Sequence, residues 1–139
     1  MSDNSHLKVF DIRTSSSMEF IDISSDILEF VNNSGVQDGI VLVYTPHTTA
    51  AITINENADP SVKTDMTKFF TKLVPQESWF RHMEGNSHSH IMSSLISPSQ
   101  SFILNNGNLI LGTWQGIFFC EFDGPRSRKF YVKILSEDV

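Results

Sequence analysis

The chain has 139 residues, a formal net charge of -6 at pH 7 and an isoelectric point of about 5.2. This length predicts one domain over residues 1–139, with room for a core of its own but not for a second one. The acidic charge argues against general nucleic-acid binding and against attraction to an acidic membrane surface.

The beginning of the chain predicts strands and one short helix. Leu7 to Arg13 and Met18 to Ile23 mix β-branched, aromatic and polar residues, which is typical of strands. Asp26 or a neighbouring serine is expected to cap a short helix, and Gly35 is placed to end it. Gly39 to Tyr44 is apolar without alternation, which predicts a central strand covered on both faces.

Two polar side chains lie at the ends of strands in the next segment. Pro46 ends the central strand and His47 follows it, whereas Glu56 ends a strand over Ala50 to Asn55. Strand ends on a rigid scaffold often present polar groups to a cleft, so both residues are candidates for a site. A solvated loop histidine is the alternative for His47.

The clearest helix begins at Asp59 and Pro60, an N-cap followed by a proline at the first helical position. It ends before Pro75. Its apolar positions recur at helical spacing, which predicts core packing; they are Val62, Met66, Phe69, Phe70 and Leu73.

A histidine-rich segment follows, with the sequence RHMEGNSHSHI from Arg81 to Ile91. It contains His82, His88 and His90, three of the five histidines in the chain. Neutral imidazole is a good ligand for zinc and similar ions, so the segment is a candidate metal site; a polar surface loop is the alternative. A short helix is expected from Ile91 onward. His88 and His90 could then share one ion only if their segment were extended.

The remainder of the chain predicts antiparallel strands. Asn105 to Asn108 is a hairpin signal, and the glycines of the strand region Gly112 to Phe122 suggest a bulge or a close backbone approach. Arg128 to Leu135 is expected to be the last strand. The fold class is therefore α+β, with mostly antiparallel sheets and two or three short helices.

The compartment is predicted to be the cytosol. The first residues lack a basic region followed by an apolar stretch, and no apolar run approaches membrane-spanning length. The single cysteine, Cys120, cannot form an internal disulfide, which agrees with a reducing compartment. Its phenylalanine-rich surroundings indicate a buried apolar role rather than a nucleophile.

Three ordered motifs resemble those of the YjbQ family, small proteins often labelled secondary thiamine-phosphate synthases. They are HTTAAITINENADPSVKTD from His47, RHMEGN from Arg81 with SHI from Ser89, and LGTWQGIFFCEFDGPRSR from Leu111. The resemblance implies an α+β subunit, a homotrimer around a threefold axis and a histidine-lined pocket. It also implies a weak activity that joins a pyrimidine pyrophosphate to a thiazole phosphate and releases pyrophosphate.

The resemblance also implies which residues form the site. The family's recurrent histidines match His47, His82 and His90, whereas its other polar positions match Glu56, Asn86, Thr113, Trp114, Gln115 and Glu121. The family does not usually have histidine at the position of His88.

Metal chemistry is the first hypothesis for this site. Three histidines with an open fourth position are the arrangement of a catalytic zinc site, so His47, His82 and His90 are expected to hold a divalent metal. Zinc is the first expectation and magnesium the alternative. Glu56 and Glu121 would orient the imidazoles or move protons, unless Glu121 is an ordinary solvent-facing strand residue.

Phosphate binding is the second hypothesis, with a phosphorylated small molecule as the substrate. Arg126 and Arg128 supply fork-shaped donors for phosphate oxygens, and Asn86, Thr113 and Gln115 could add neutral hydrogen bonds. A solvated basic turn is the alternative for the arginines.

Competing functions are a metal-dependent hydrolase of a phosphate ester or amide and a non-catalytic trimer that only binds a small molecule or metal. Trp114 could stack on an aromatic substrate or pack at an interface.

Overall fold

Two antiparallel sheets form the framework of the protein, and the computed structural model describes residues 6–137. The strands are β1 (Leu7–Arg13), β2 (Glu19–Asp22), β3 (Gly39–Tyr44), β4 (Ala50–Glu56), β5 (Ser99–Asn105), β6 (Asn108–Leu109), β7 (Gln115–Glu121) and β8 (Ser127–Ser136). The first sheet has the strand order β1-β8-β3-β5-β6 and the second has the order β2-β7-β4. The helices are α1 (Ser24–Ser34), α2 (Pro60–Leu73) and α3 (Ser87–Ile96). The α+β prediction is confirmed.

The chain is organised in three layers. The main core lies between the two sheets. Val41 and Val132 of the first sheet pack there with Ile52 and Phe119 of the second sheet, and all four are fully buried. A second core lies on the other face of the smaller sheet, where α3 contributes Met92. Each strand of the smaller sheet is therefore covered on both faces.

Local signals account for the elements that agree with prediction. The carboxylate of Asp59 accepts a hydrogen bond from the N–H of Ser61 at 2.9 Å, and Pro60 opens α2. Asn106 and Gly107 have φ of 51° and 81°, the left-handed values that the tight β5–β6 hairpin requires. A Cβ on Gly116 would lie 2.7 Å from the side-chain amide of Asn57, so the expected close approach is present.

Three local predictions are wrong. Asp26 lies inside α1, and Ile23 occupies its N-cap without a side-chain hydrogen bond, because the preceding Asp22 instead accepts from the N–H of Ser24. The apolar stripe of α2 is only partly core packing, since no residue of α2 is buried and Phe69 is 61% exposed. The helix predicted from Ile91 begins earlier, at Ser87, so His88 and His90 lie in its first turn and not in an extended segment.

The central position of β3 is confirmed, but residues 6–137 cover only one of its faces. Val41 and Val43 are buried in the main core, whereas Ile40 and Tyr44 point away from it and are each 41% exposed. The strand register places Leu135 and Ile103 beside Ile40 on the same open face. The first sheet thus carries an apolar outer face.

None of the helices in residues 6–137 has the length and hydropathy needed to span a bilayer. Cys120 is fully buried on the helix-covered face of the smaller sheet, and burial raises the pKa of its thiol. The prediction of a buried apolar role for Cys120 is confirmed.

Candidate functional site

A polar cavity of about 270 Å³, called the cleft below, lies at one end of the two-sheet core. Here β3 and β7 end while β4, β8 and α3 begin, so residues distant in sequence meet. The cleft is lined by Pro46, His47, Thr48, Thr49, Glu84, Asn86, His90, Arg126 and Arg128. Five of the predicted site residues are in this set: His47, Asn86, His90, Arg126 and Arg128.

A buried ion pair forms the floor of the cleft. Glu121 and Arg128 are 0% and 5% exposed, and Arg128 donates from Nε to Oε1 of Glu121 at 2.8 Å and from Nη2 to Oε2. The same Nη2 donates to Oγ1 of Thr49 at 2.8 Å. Because β7 and β8 belong to different sheets, the ion pair joins the two sheets directly beneath the cleft.

The carboxylate of Glu121 is saturated by further donors. It accepts hydrogen bonds from Oγ1 of Thr14 at 2.8 Å and from the N–H of Asp123 at 2.8 Å. It is therefore not the solvent-facing strand residue that the sequence left as an alternative. Nor does it line the cleft, so its place in the structure is that of a residue that positions Arg128.

Asp123 positions two side chains of the cleft at once. Its Oδ2 accepts hydrogen bonds from Nδ2 of Asn86 and from Nη2 of Arg126, each at 2.7 Å. Arg126 also donates from Nε to the carbonyl oxygen of Asp123 at 2.7 Å. The guanidinium and the amide are thus held by one carboxylate between β7 and β8.

Several polar groups of the cleft have no hydrogen-bond partner within residues 6–137. Oδ1 of Asn86, a residue that is only 7% exposed, is buried and accepts no hydrogen bond from that part of the chain. The Nη1 groups of Arg126 and Arg128 donate to no acceptor in residues 6–137, since all their hydrogen bonds there involve Nε or Nη2. A buried polar group without a partner is costly, so Oδ1 of Asn86 indicates a place for a ligand or water. The Arg126 side chain is 46% exposed, so its Nη1 is open to solvent or to a ligand.

His47 is held in a defined tautomer by β8. Its Nε2 accepts a hydrogen bond from the backbone N–H of Lys129 at 2.9 Å, so the proton of the neutral ring is on Nδ1. Burial lowers the pKa of His47, and the Arg128 guanidinium lowers it further, against an opposing effect of Glu121. The ring is therefore a neutral donor, and its Nε2 lone pair is already in use.

The other two predicted metal ligands meet each other rather than His47. The rings of His82 and His90 contact edge to face with centroids 5.0 Å apart, and Glu84 lies 3.7 Å from Nε2 of His82. Within residues 6–137, no group of three or more histidine, cysteine or carboxylate side chains has the arrangement of a metal site. His47, His82 and His90 as arranged here do not fit a zinc ion.

Four predicted site residues lie at the opposite end of the smaller sheet. Glu56 pairs with Gln115 at the far end of β4, roughly 20 Å along the strand from its start beside the cleft. Thr113 and Trp114 are exposed in the loop before β7. Both Glu56 and His47 are at strand ends, as predicted, but the ends are opposite ones, so Glu56 does not reach the cleft of its own chain.

His88 is directed away from its neighbour. Positions two apart on a helix diverge by about 200°, and His90, not His88, lines the cleft. Nδ1 of His88 is buried without a partner within residues 6–137. His88 and His90 therefore cannot share one ion.

Sequence reasoning missed the residues that hold the cleft together. Ser89 and Ser93 of α3 donate to the carbonyl oxygens of Phe122 and Ala50, each at 2.6 Å, and dock the helix against the smaller sheet. Their spacing of four residues on one helical face was an available signal. Asp123 had none, because its role depends on how the strands pair.

A sequence model of the family described as UPF0047 protein YjbQ-like matches residues 8–137. The chain belongs to the UPF0047 YjbQ-like family. Among its relatives is the UPF0047 protein MJ1081 of Methanocaldococcus jannaschii, 54% identical over 92% of this chain and 93% of the relative. The UPF0047 protein YugU of Bacillus subtilis is 52% identical over 93% of this chain and 98% of the relative.

Solved structures of the UPF0047 family have the same fold. A protein of Clostridium acetobutylicum, described as an uncharacterized YjbQ/UPF0047 member, superposes with a TM-score of 0.90 at 52% identity over 92% of this chain and 99% of its own. A protein of Sulfolobus solfataricus, described as YbjQ-like and of unknown function, gives a TM-score of 0.90 at 30% identity over 94% of this chain and 96% of its own.

These relatives correct the functional prediction. The curated relatives have UPF0047 names that state no reaction, and the solved structures are described as uncharacterized or of unknown function. Nothing in them supports a condensation that makes thiamine phosphate, and the prediction of a thiamine-phosphate synthase is wrong. The label came with the resemblance and not from any residue of the cleft.

Proposed function

We propose that the protein is an acid–base enzyme whose cleft binds the anionic group of a small phosphorylated molecule. The observation that carries this proposal is one small cavity lined by Arg126, Arg128 and His47. Within residues 6–137, Nη1 of each arginine and Nδ1 of His47 make no hydrogen bond. Guanidinium groups and oriented N–H donors are the groups that bind phosphate oxygens. No metal is needed for this recognition.

Two guanidinium groups line the cleft, despite the net charge of -6. The carboxylate of Glu84 also lines it, but its side chain is 65% exposed and lies 3.7 Å from His82. Each arginine is paired with one carboxylate on its far side, which fixes its guanidinium and leaves Nη1 available. At physiological salt, charges more than about 8 Å away are largely screened. The acidic outer surface therefore has little effect on a ligand inside the cleft.

His90 is the residue that we propose to move a proton. Its imidazole lines the cleft and has no protein hydrogen-bond partner in residues 6–137. It is therefore free to contact a ligand, unlike His47, whose Nε2 is occupied. Oδ1 of Asn86 supplies an acceptor for a hydroxyl or amine of the same ligand.

Calorimetric titration with inorganic phosphate tests this function. The substitution Arg126→Ala is expected to weaken phosphate binding about tenfold or more, because a charge-assisted hydrogen bond is lost. Lys68→Ala removes one positive charge from the exposed surface of α2, away from the cleft, and is the matched control; it should leave the affinity unchanged. Equal losses of phosphate affinity in both variants would show that only the net charge of the protein matters, and would reject the cleft as the phosphate site.

We also propose that the chain forms a homotrimer in which further copies cover the open face of the first sheet. The supporting residues are Leu7, Val9, Ile40, Tyr44, Ile103 and Leu135, which are 41–56% exposed. Exposed apolar patches of this kind mark interaction sites. Native mass spectrometry should give a trimer for the natural chain and a monomer for Ile40→Lys; a monomeric natural chain would reject this assembly.

Metal binding by His82 and His90 is a second candidate function. The contact between their rings supports it, since both could turn toward one divalent cation, with zinc preferred over magnesium because imidazole is the ligand. His47 could join only by giving up its hydrogen bond to Lys129. A zinc titration of protein purified without a histidine tag separates binding by two histidines from binding by three.

A further inference from the structure

An apolar groove begins beside the cleft and shares His90 with it. Its first part, with a volume of about 620 Å³, is lined by Trp79, Phe80, His82, His90 and Ile91 among others. Its second part, about 580 Å³, continues along α3 and shares Trp79, Phe80 and Ile91 with the first. The cleft, with a volume of about 270 Å³, and the larger apolar groove thus both border His90.

The groove wall consists of aromatic and aliphatic side chains that the chain itself does not cover. Trp79 is 71% exposed and Leu95 is 61% exposed, whereas Phe80 contacts Trp79 edge to face with ring centroids 4.7 Å apart. Ile91 and Leu95 are four residues apart and form one face of α3. Such a cluster binds flat apolar groups by stacking and burial.

The loop that carries the aromatic residues is fixed to the start of α3. Nε2 of Gln76 donates to the carbonyl oxygen of Gly85 at 2.6 Å, and the N–H of Phe80 donates to the carbonyl oxygen of Glu77 at 3.1 Å. These bonds tie the loop that carries Trp79 to Gly85, two residues before α3. The groove is consequently part of the fold and not a gap beside a free segment.

We infer that the ligand has two parts, an anionic group held in the cleft and an aromatic or similarly apolar group held in the groove. This inference rests on the proposed function, because it takes the anionic group as given. The observation behind it is that His90 lines both the cleft and the groove. A molecule that fills both would have its two parts joined beside this imidazole. The bond that reacts would lie at that junction.

The test compares inorganic phosphate with phenyl phosphate, which adds one aromatic ring to the same anion. The chain has two tryptophans, and Trp114 is remote from the groove, so Trp114→Phe leaves Trp79 as the sole reporter. In this protein, phenyl phosphate is expected to bind about tenfold more tightly than phosphate. It should change the Trp79 fluorescence, whereas inorganic phosphate should not.

Two further substitutions distinguish binding in the groove from nonspecific binding of an aromatic ligand. Ile91→Ser should remove the tenfold advantage of phenyl phosphate and leave the affinity for inorganic phosphate unchanged. Ile110→Ser, at a residue that is 56% exposed away from the groove, is the matched control and should change neither affinity.

Two results would overturn the inference, and they are distinguishable. Normal phosphate binding without any advantage of phenyl phosphate would leave the anion site standing and reject the groove. Absence of phosphate binding, together with quenching of Trp79 by neutral benzyl alcohol, would reject the proposed function and with it the two-part ligand.

Discussion

Arg128 and Glu121 form a buried, doubly hydrogen-bonded ion pair that joins β8 to β7 under the cleft. Each partner makes the burial of the other tolerable, because an isolated charge inside a protein is costly. The pair also holds the guanidinium in one orientation. The shape of the cleft therefore depends on a residue, Glu121, that does not line it.

Removing one member of this pair should destabilise the protein strongly. Glu121→Gln leaves the buried Arg128 without a counter-ion, and we expect a loss of about 3–5 kcal/mol in the free energy of unfolding. Urea denaturation measures this loss. Glu121→Gln with Arg128→Met should cost less than the sum of the two single changes. Additive losses would show that the residues are not energetically coupled.

The surface pair of Lys129 and Asp11 provides a contrast. Lys129 donates from Nζ to Oδ1 of Asp11 at 2.9 Å, but both side chains are more than half exposed. We expect Lys129→Met to leave the denaturation midpoint nearly unchanged, because solvent screens such pairs. A midpoint shift as large as that of Glu121→Gln would contradict the importance given to burial.

Stability should fall as the pH is lowered through the range in which His47 titrates. Its pKa in the folded protein lies below its ordinary value of about 6.5, so the unfolded chain binds the proton first. The His47 contribution is fully present above about pH 6.5 and is lost as the pH falls toward the lowered pKa. Protonation also removes the acceptor for the Lys129 N–H.

His47→Gln isolates this contribution, because glutamine can accept from Lys129 but does not titrate. Melting temperatures of the natural chain and the variant are compared between pH 5 and pH 8. Below about pH 6.5, we expect the melting temperature of the natural chain to fall more steeply than that of the variant. Parallel curves over the whole range would mean that His47 has the same pKa in both states.

Changing Asn86 to aspartate should disrupt the cleft at its centre. Nδ2 of Asn86 donates to Asp123 at 2.7 Å, and Asn86→Asp replaces this donor by a second carboxylate. We expect a loss of about 1–3 kcal/mol in unfolding free energy and weaker phosphate binding. Asn108→Asp, in the exposed β5–β6 hairpin, is the control. Unchanged phosphate affinity in Asn86→Asp would place the anion elsewhere.

Zinc titration followed at the Lys129 amide tests the metal prediction. Binding by His82 and His90 alone leaves His47 in place, so we expect the Lys129 amide resonance to stay where it is while the resonances of α3 shift. A large shift of the Lys129 amide at one equivalent of zinc would show that His47 has released it. The three-histidine site predicted from the sequence would then be formed by rotation of that ring.

The fold was predictable wherever one segment carried its own signal. The Asp59–Pro60 helix start and the Asn106–Gly107 turn need no distant partner, so sequence and structure agree there. The open face of β3 was not predicted. Its continuous apolar run predicts cover on both faces, whereas the described part of the chain covers only one of them.

The site was predictable in part. Histidine and arginine content identified His47, His90 and Arg126, but strand pairing decides that Glu56 faces the opposite end of the sheet. The burial of Arg128 did have a signal. It has the same parity along β8 as the buried Phe130 and Val132, which places its side chain inward.

The alternation of β8 also limits how the protein can be re-engineered. Arg128 faces inward while Lys129, the next residue, offers its amide to His47 and its side chain to water. Inserting a single residue just before Arg128 would shift the frame of the strand and exchange these two roles. Tags or labels should therefore be placed in the 105–108 hairpin, where a change of length is not transmitted to the cleft.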